Sequence, residues 1–158
     1  MLSAEWVWGV MEKVRKVLAY VTRESEGMRE LLVFAHRDYP EAGLQVPAGT
    51  VKEGEEIEAA LLREVVEETG LAEWRVVRKL GVYDYWNEST GQGNERHVFH
   101  LTVRGGAPNC WEWVETGGGE VTELEGYVFQ FKWVGLDERV ELAGGQGDYL
   151  DALYSAMS

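Results

Sequence analysis

The spacing of apolar residues predicts one well-defined helix before the middle of the chain. Through residues 56–69 apolar side chains recur every three or four positions, which places them on one face of a helix. Gly70 follows directly, and glycine commonly ends helices in the left-handed conformation. The expected apolar face consists of Ile57, Leu61, Leu62, Val65 and Val66.

Alternation of apolar and polar residues predicts strands on both sides of this helix. The residues between 104 and 126 show no such pattern and are expected to be irregular, and an irregular segment of that length is often functional. Strands are expected at residues 16–23, 30–36, 74–86, 95–103 and 127–134, with a broken extended segment at 44–51 and a closing helix at 147–157.

Length and composition indicate one globular domain spanning residues 1–158. The chain has 158 residues, of which 45% are hydrophobic and 27% charged, so it can bury a core without disulfide or metal support. Cys110 is the sole cysteine, which excludes an internal disulfide and a multi-cysteine zinc site.

The formal charge of −13 argues against binding to a nucleic-acid polymer, because that binding draws on clustered cations. An acidic chain can still process a phosphate compound if a divalent cation stands between the two. The first ten residues lack the basic cluster of a signal peptide, and no apolar run reaches the roughly 18 residues of a membrane-spanning helix. A soluble, cytoplasmic protein without a membrane partner is therefore expected.

Three carboxylates share one face of the predicted helix. Glu64, Glu67 and Glu68 stand at positions i, i+3 and i+4, where neighbouring side chains meet. Like charges this close repel one another, and a divalent cation relieves that repulsion. Oxygen ligands of this kind suit magnesium or manganese better than zinc. The opposite face of the helix is apolar, so the helix can be anchored while it presents these carboxylates.

Residues next to the carboxylates suggest how the site is organised. Arg63 can bind a carboxylate through two hydrogen bonds and orient it, and Glu55 precedes the helix as a candidate partner. Gly49 and Gly54 allow the preceding loop conformations that other residues avoid. A loop folded against the helix could then offer a backbone carbonyl to a metal.

The complete segment from Gly49 to Leu71 resembles the Nudix box. The pattern is Gly, five residues, Glu, seven residues, Arg-Glu, an apolar residue, any residue, Glu-Glu, any residue, Gly and an apolar residue, and every specified position is filled. The order of predicted elements is also similar to that of Nudix hydrolases over most of the chain. The resemblance implies an α/β fold of the α+β type, an α/β/α sandwich with a central mixed sheet and the box as loop-helix-loop.

The resemblance also implies a reaction. Nudix hydrolases cleave a pyrophosphate linkage in nucleoside diphosphate derivatives by attack of water at phosphorus, with Mg²⁺ or Mn²⁺ as cofactor. Carried over by position, the metal ligands would be Glu64, Glu67, Glu68 and the carbonyl of Gly49. Arg63 and Glu55 would orient them. The general base is expected to be Glu64 or Glu67.

Some Nudix enzymes use a further acidic residue outside the box. Glu120, Glu123 and Glu125 lie in the segment expected to be irregular, and the sequence does not choose among them. The rest of the substrate has four candidate contacts. One is a cation that follows a predicted strand, Arg37. The others are aromatic side chains able to stack on a base, Trp86, Trp111 and Trp113.

Two other functions are compatible with the fold that this resemblance implies. A catalytically silent Nudix-fold regulator would bind a nucleotide or a protein, but such proteins usually have a degenerate box, and this box is intact. A Nudix-fold isomerase acting on an isoprenoid diphosphate would need a cysteine and a glutamate around the substrate, whereas Cys110 lies far from the box in sequence. The substrate among nucleotides, nucleotide sugars and dinucleotides stays open, and a homodimer is plausible.

Overall fold

A mixed sheet of seven strands forms the centre of the computed structural model, which describes residues 13–104, 106–115 and 127–157. Within these ranges, two α-helices and two short 3-10 turns, Pro40–Ala42 and Leu136–Glu138, accompany the sheet. The strands are β1 (Val14–Ser25), β2 (Met28–His36), β3 (Ala48–Thr50), β4 (Trp74–Asn87), β5 (Gln92–Val103), β6 (Cys110–Val114) and β7 (Val128–Gly135), and the helices are α1 (Ile57–Thr69) and α2 (Leu150–Met157).

The sheet has the strand order β4-β5-β1-β2-β7-β6, with β3 paired to β1 beside β2. Strands β1 and β5 are parallel over nine residue pairs, from Val14 opposite Asn94 to Thr22 opposite Thr102. The other pairings between named strands are antiparallel. Because β3 pairs with the first half of β1, the loop before α1 is held at the middle of the sheet.

Each face of the sheet carries its own apolar cluster. Alternate residues of β1 point to opposite faces, so Val17 joins the cluster that contains α1, and Leu18 joins the one that contains α2. Leu61 and Val65 anchor α1 on the first face, and Leu150 and Leu153 anchor α2 on the second. The predicted mixed sheet between helices is confirmed.

Two expectations about regular structure are wrong. The segment expected to be irregular contains β6, an edge strand that pairs with β7 from Cys110 opposite Lys132 to Val114 opposite Val128. Leu62 and Val66 do not lie on the core face of α1, since they are 45% and 48% exposed. Within the described residues, neither helix has the length and hydropathy needed to cross a bilayer.

Candidate active site

Helix α1 is fixed on the sheet by its apolar residues and ended by a glycine. Ala60, Leu61 and Val65 are buried in the cluster on that face. Gly70 has φ 74°, and its N–H donates to the carbonyl of Val66 at 3.0 Å. This is the left-handed helix end expected from the sequence.

The carboxylates of Glu64 and Glu68 lie buried between α1 and β3, with 7% and 6% of each residue exposed. Oε2 of Glu68 accepts a hydrogen bond from the N–H of Ala48 at 3.2 Å. The carboxylate of Glu64 contacts Gly49 so closely that a β-carbon there would lie 1.9 Å from its Cδ. Gly49 therefore has no room for a side chain while Glu64 keeps this position.

Arg63 links the helix to the loop that precedes it. Its Nε and Nη2 donate to the two oxygens of Glu55 at 2.9 and 3.0 Å, and Nη2 also donates to the carbonyl of Thr50 at 2.9 Å. Its Nη1 donates to Glu64 at 2.7 Å and to Glu67 at 3.1 Å. One guanidinium thus holds two of the box carboxylates and the loop in a fixed relation.

The surroundings shift the proton affinities of these carboxylates in opposite directions. Hydrogen bonds from Arg63 and from the N–H of Lys52 lower the pKa of Glu55 to about 2. Burial raises the pKa of Glu64, despite its bond to Arg63. Burial, followed by the nearby charge of Glu64, raises the pKa of Glu68 well above its usual range. The structure therefore concentrates negative charge that the protein alone does not compensate.

Glu115 is an acidic residue near the site that the sequence did not single out. It directly follows β6, and its N–H donates to the carbonyl of Tyr127 at 3.0 Å. Burial and the charge of Glu67 raise the pKa of Glu115, and its own charge acts on Glu64 and Glu68. Glu115 would have been predicted near the site if the sequence had indicated that β6 is a strand paired with β7.

Trp111 and Trp113 lie against the carboxyl-terminal end of α1. The indole N–H of Trp111 donates to the backbone carbonyl of Thr69 at 2.9 Å, and the indole N–H of Trp113 donates to the backbone carbonyl of Glu67 at 2.7 Å. The ring of Trp113 also covers Gly70, where a β-carbon would lie 2.6 Å away. Both tryptophans therefore position the helix, and their contact with substrate stays a prediction.

Arg37, Trp86 and three further glutamates were also predicted as site residues. Arg37 is half-exposed and faces Asp38 at 3.4 Å and Glu112 at 3.7 Å. Trp86 is 42% exposed near the end of β4. Glu120, Glu123 and Glu125 lie outside the described residues.

The donor set fits a hard divalent cation. Glu64 and Glu68 place buried carboxylate oxygens beside Gly49, and Glu67 adds a third carboxylate on the same helix face. Oxygen donors of this type are those that Mg²⁺ and Mn²⁺ prefer. In the part of the chain that the structure describes, no three His, Cys, Asp or Glu side chains already form a metal-holding group, and Arg63 bonds two of the three carboxylates.

Comparison with known proteins identifies the family. Residues 12–153 match the family model described as the NUDIX domain. The chain belongs to the Nudix family. Its enzyme class, a Nudix pyrophosphohydrolase, agrees with the expectation from the box. No curated protein matches the sequence.

Solved Nudix structures share the fold at low identity. The NUDIX domain of NrtR from Shewanella oneidensis, complexed with ADP ribose, is 15% identical with a TM-score of 0.70, and the match covers 100% of both chains. An Ap4A hydrolase from C. elegans is 16% identical with a TM-score of 0.64, covering 93% of this chain and 100% of the other. A MutT NUDIX hydrolase from Burkholderia pseudomallei is 23% identical with a TM-score of 0.65, covering 90% and 99%.

Proposed function

We propose that this Nudix protein is a metal-dependent hydrolase that cleaves the pyrophosphate linkage of a nucleoside diphosphate derivative by attack of water at phosphorus. The observation that carries the proposal is the burial of Glu64 and Glu68 against the backbone of β3, at the glycine that begins the box. A solvent-facing row of glutamates would not be buried or held by backbone N–H groups. Arg63 pairs with Glu64 but not with Glu68 among the ion pairs of the described residues, and an excess of buried carboxylates suits a site that binds a cation.

The metal ligands proposed from the box are Glu64, Glu67, Glu68 and the carbonyl of Gly49. Bound there, Mg²⁺, or Mn²⁺ in its place, would neutralise phosphoryl oxygens and lower the pKa of a water molecule. Arg63 holds Glu64 and Glu67 through charged hydrogen bonds, so we assign it a positioning role. Glu55 fixes Arg63 in turn, since both of its oxygens accept from that guanidinium.

Three carboxylates are candidates for the group that accepts the proton of the attacking water. Glu64 and Glu67 were expected from the box. Glu115 joins them because its charge raises the pKa of Glu64 and of Glu68. The charge of Glu67 in turn raises the pKa of Glu115. Burial raises the pKa of Glu115, which moves it toward the range in which a carboxylate is an effective general base.

The proposal is tested by chromatographic detection of both products of pyrophosphate cleavage, a nucleotide and the phosphate-bearing remainder of the molecule, for each member of a substrate panel. The panel contains ADP-ribose, Ap4A, UDP-glucose and nucleoside triphosphates, each assayed with Mg²⁺, with Mn²⁺ and with excess chelator. We expect hydrolysis of at least one class, abolished by the chelator. Nucleotide binding without hydrolysis in every metal condition would contradict the proposal and favour the silent regulator.

A further inference from the structure

The last turn of α1 carries two of the proposed metal ligands under unfavourable electrostatics. Glu67 and Glu68 lie in this turn, and it contains no cationic side chain. The carboxyl-terminal end of a helix is its negative end, so carboxylates there destabilise the turn. The part of α1 that must hold carboxylates in place for a metal is therefore intrinsically its weaker end.

Trp113 supplies a hydrogen bond that the helix does not make for itself at Glu67. In a continuing helix, the backbone N–H of Leu71 would donate to the carbonyl of Glu67. That N–H donates to the hydroxyl of Thr69 at 3.0 Å instead. The indole N–H of Trp113 donates to the carbonyl of Glu67 at 2.7 Å. Trp113 therefore satisfies one of the backbone carbonyls that a helix end leaves without a helical partner.

Strand β6 makes further contacts with the same turn. The ring of Trp113 packs on Gly70, where a β-carbon would lie 2.6 Å from the indole. Trp111, two residues away on the same face of β6, donates its indole N–H to the carbonyl of Thr69 at 2.9 Å. Both tryptophans belong to a strand that is paired with β7. The sheet thus supports the last turn through two indole donors, and that of Trp113 bonds the backbone of a proposed metal ligand.

We propose that Trp113 is a positioning residue for the metal site, and that its hydrogen bond to the backbone of Glu67 sets the affinity of the site for a divalent cation. The inference rests on the proposed function, because it concerns the ligands assigned there. A carboxylate that is already held in place loses less conformational freedom when a cation binds. Removal of a group that orients a metal ligand typically weakens metal binding by roughly 10- to 100-fold.

Two tryptophan variants separate positioning from general stability. Trp113→Phe removes the indole N–H and keeps an aromatic ring at this position. Trp133 is the matched control, because its indole N–H also donates to a backbone carbonyl, that of Pro108, at 2.9 Å. Trp133 is 9% exposed and Trp113 is 38% exposed, so Trp133→Phe should destabilise the protein more. A merely structural role predicts the larger loss of metal binding in Trp133→Phe, and the positioning role predicts the opposite order.

Mn²⁺ binding to the full chain is measured without substrate, by electron paramagnetic resonance of the free ion. We expect Trp113→Phe to bind Mn²⁺ about tenfold more weakly than the wild type. Trp133→Phe should bind it within about twofold of the wild type, because its hydrogen bond lies on a carbonyl that bears no metal ligand. Wild-type affinity in Trp113→Phe, or an equal loss in both variants, would overturn the proposal.

Hydrogen exchange in chelator tests the support of the last turn without a metal. The N–H of Gly70 donates to the carbonyl of Val66 at 3.0 Å, so its exchange rate reports opening of this turn. Residue-resolved exchange by NMR should be about fivefold faster at Gly70 in Trp113→Phe, the usual effect of losing one hydrogen bond. Trp133→Phe should leave it unchanged, since helix ends open locally. Unchanged exchange at Gly70 in Trp113→Phe would also overturn the proposal.

The substrate panel distinguishes failure of this inference from failure of the proposed function. If the wild type hydrolyses a substrate and Trp113→Phe binds Mn²⁺ as tightly as the wild type, the hydrolase assignment stands and the inference fails. If Mn²⁺ binds tenfold more weakly to Trp113→Phe but no substrate is hydrolysed by the wild type, the positioning role stands and the hydrolase proposal fails. If the wild type binds no Mn²⁺, both fail.

Discussion

Replacement of Gly49 by alanine isolates the contact between the loop and the carboxylates. The added methyl group would lie 1.9 Å from Cδ of Glu64, while ordinary contact begins near 3.4 Å, so the carboxylate must move by about 1.5 Å. A displacement of about 1 Å at a reacting centre can reduce turnover about 100-fold, which corresponds to about 2.7 kcal/mol of activation free energy. Stability should change less, by about 1–2 kcal/mol, because the group that moves is the end of a flexible side chain.

The assay is steady-state hydrolysis of the best substrate at saturating Mg²⁺, together with the free energy of unfolding from urea titration. Gly106→Ala is the matched control, since a β-carbon there has no neighbour within 4 Å. We expect kcat to fall at least 100-fold in Gly49→Ala and to stay unchanged in Gly106→Ala. Full turnover by a folded Gly49→Ala protein would refute the argument that Glu64 must remain against the loop.

Three further predictions concern single side chains. Glu115→Gln should lower kcat by about 100-fold or more if Glu115 is the general base, with KM little changed, and an unchanged kcat would leave Glu64 or Glu67 in that role. Arg63→Lys keeps the charge but not the planar fork, so urea unfolding should show a loss of about 1.5–3 kcal/mol, and wild-type stability would contradict the positioning role. Burial lowers the pKa of His100 to about 4, so the stability it contributes is present above about pH 6.5 and is lost as pH falls toward 4. His100→Gln can keep the contact with Thr22, and between pH 7 and 5 it should lose about 2 kcal/mol less stability than the wild type, whereas parallel curves would show that His100 does not titrate as described.

The helix and its end were predictable because their signals are local. The apolar spacing and Gly70 located α1 within one residue of its observed start and at its observed end. The box also carried enough specified positions to indicate the family. These features depend on residues close together in sequence. Apolar periodicity and the conformational preference of glycine therefore determine them without contacts from distant parts of the chain.

The side of α1 that faces the carboxylate site was harder to predict. Periodicity placed Leu62 and Val66 on the buried face, but the buried residues include Glu64 and Glu68 instead. Apolar spacing assumes that only apolar side chains are buried. That assumption fails where a strand such as β3 packs over carboxylates, and only the tertiary structure shows that contact.

Strand β6 was missed because it is an exposed edge strand. Four of its five residues are exposed and only Trp111 is partly buried, so its pattern lacks the usual alternation. Its partner β7 also lies beyond a long connection. Because β6 was not predicted, Glu115 was not predicted to lie near the site. The acidic candidates outside the box were instead Glu120, Glu123 and Glu125. The position of Glu115 depends on non-local strand pairing, which a single sequence specifies weakly.

The most direct test of the hydrolase assignment is the turnover of wild-type protein and Glu68→Gln, measured side by side with Mg²⁺ and with chelator. Glu68→Gln keeps the shape of the side chain and an acceptor for the N–H of Ala48, while it removes the charge that would bind a cation. We predict that the variant folds and loses turnover by at least 100-fold, and that chelator reduces the wild type to the same level. Wild-type turnover by Glu68→Gln, or hydrolysis that persists in chelator, would contradict the assignment of the α1 carboxylates as a catalytic metal site.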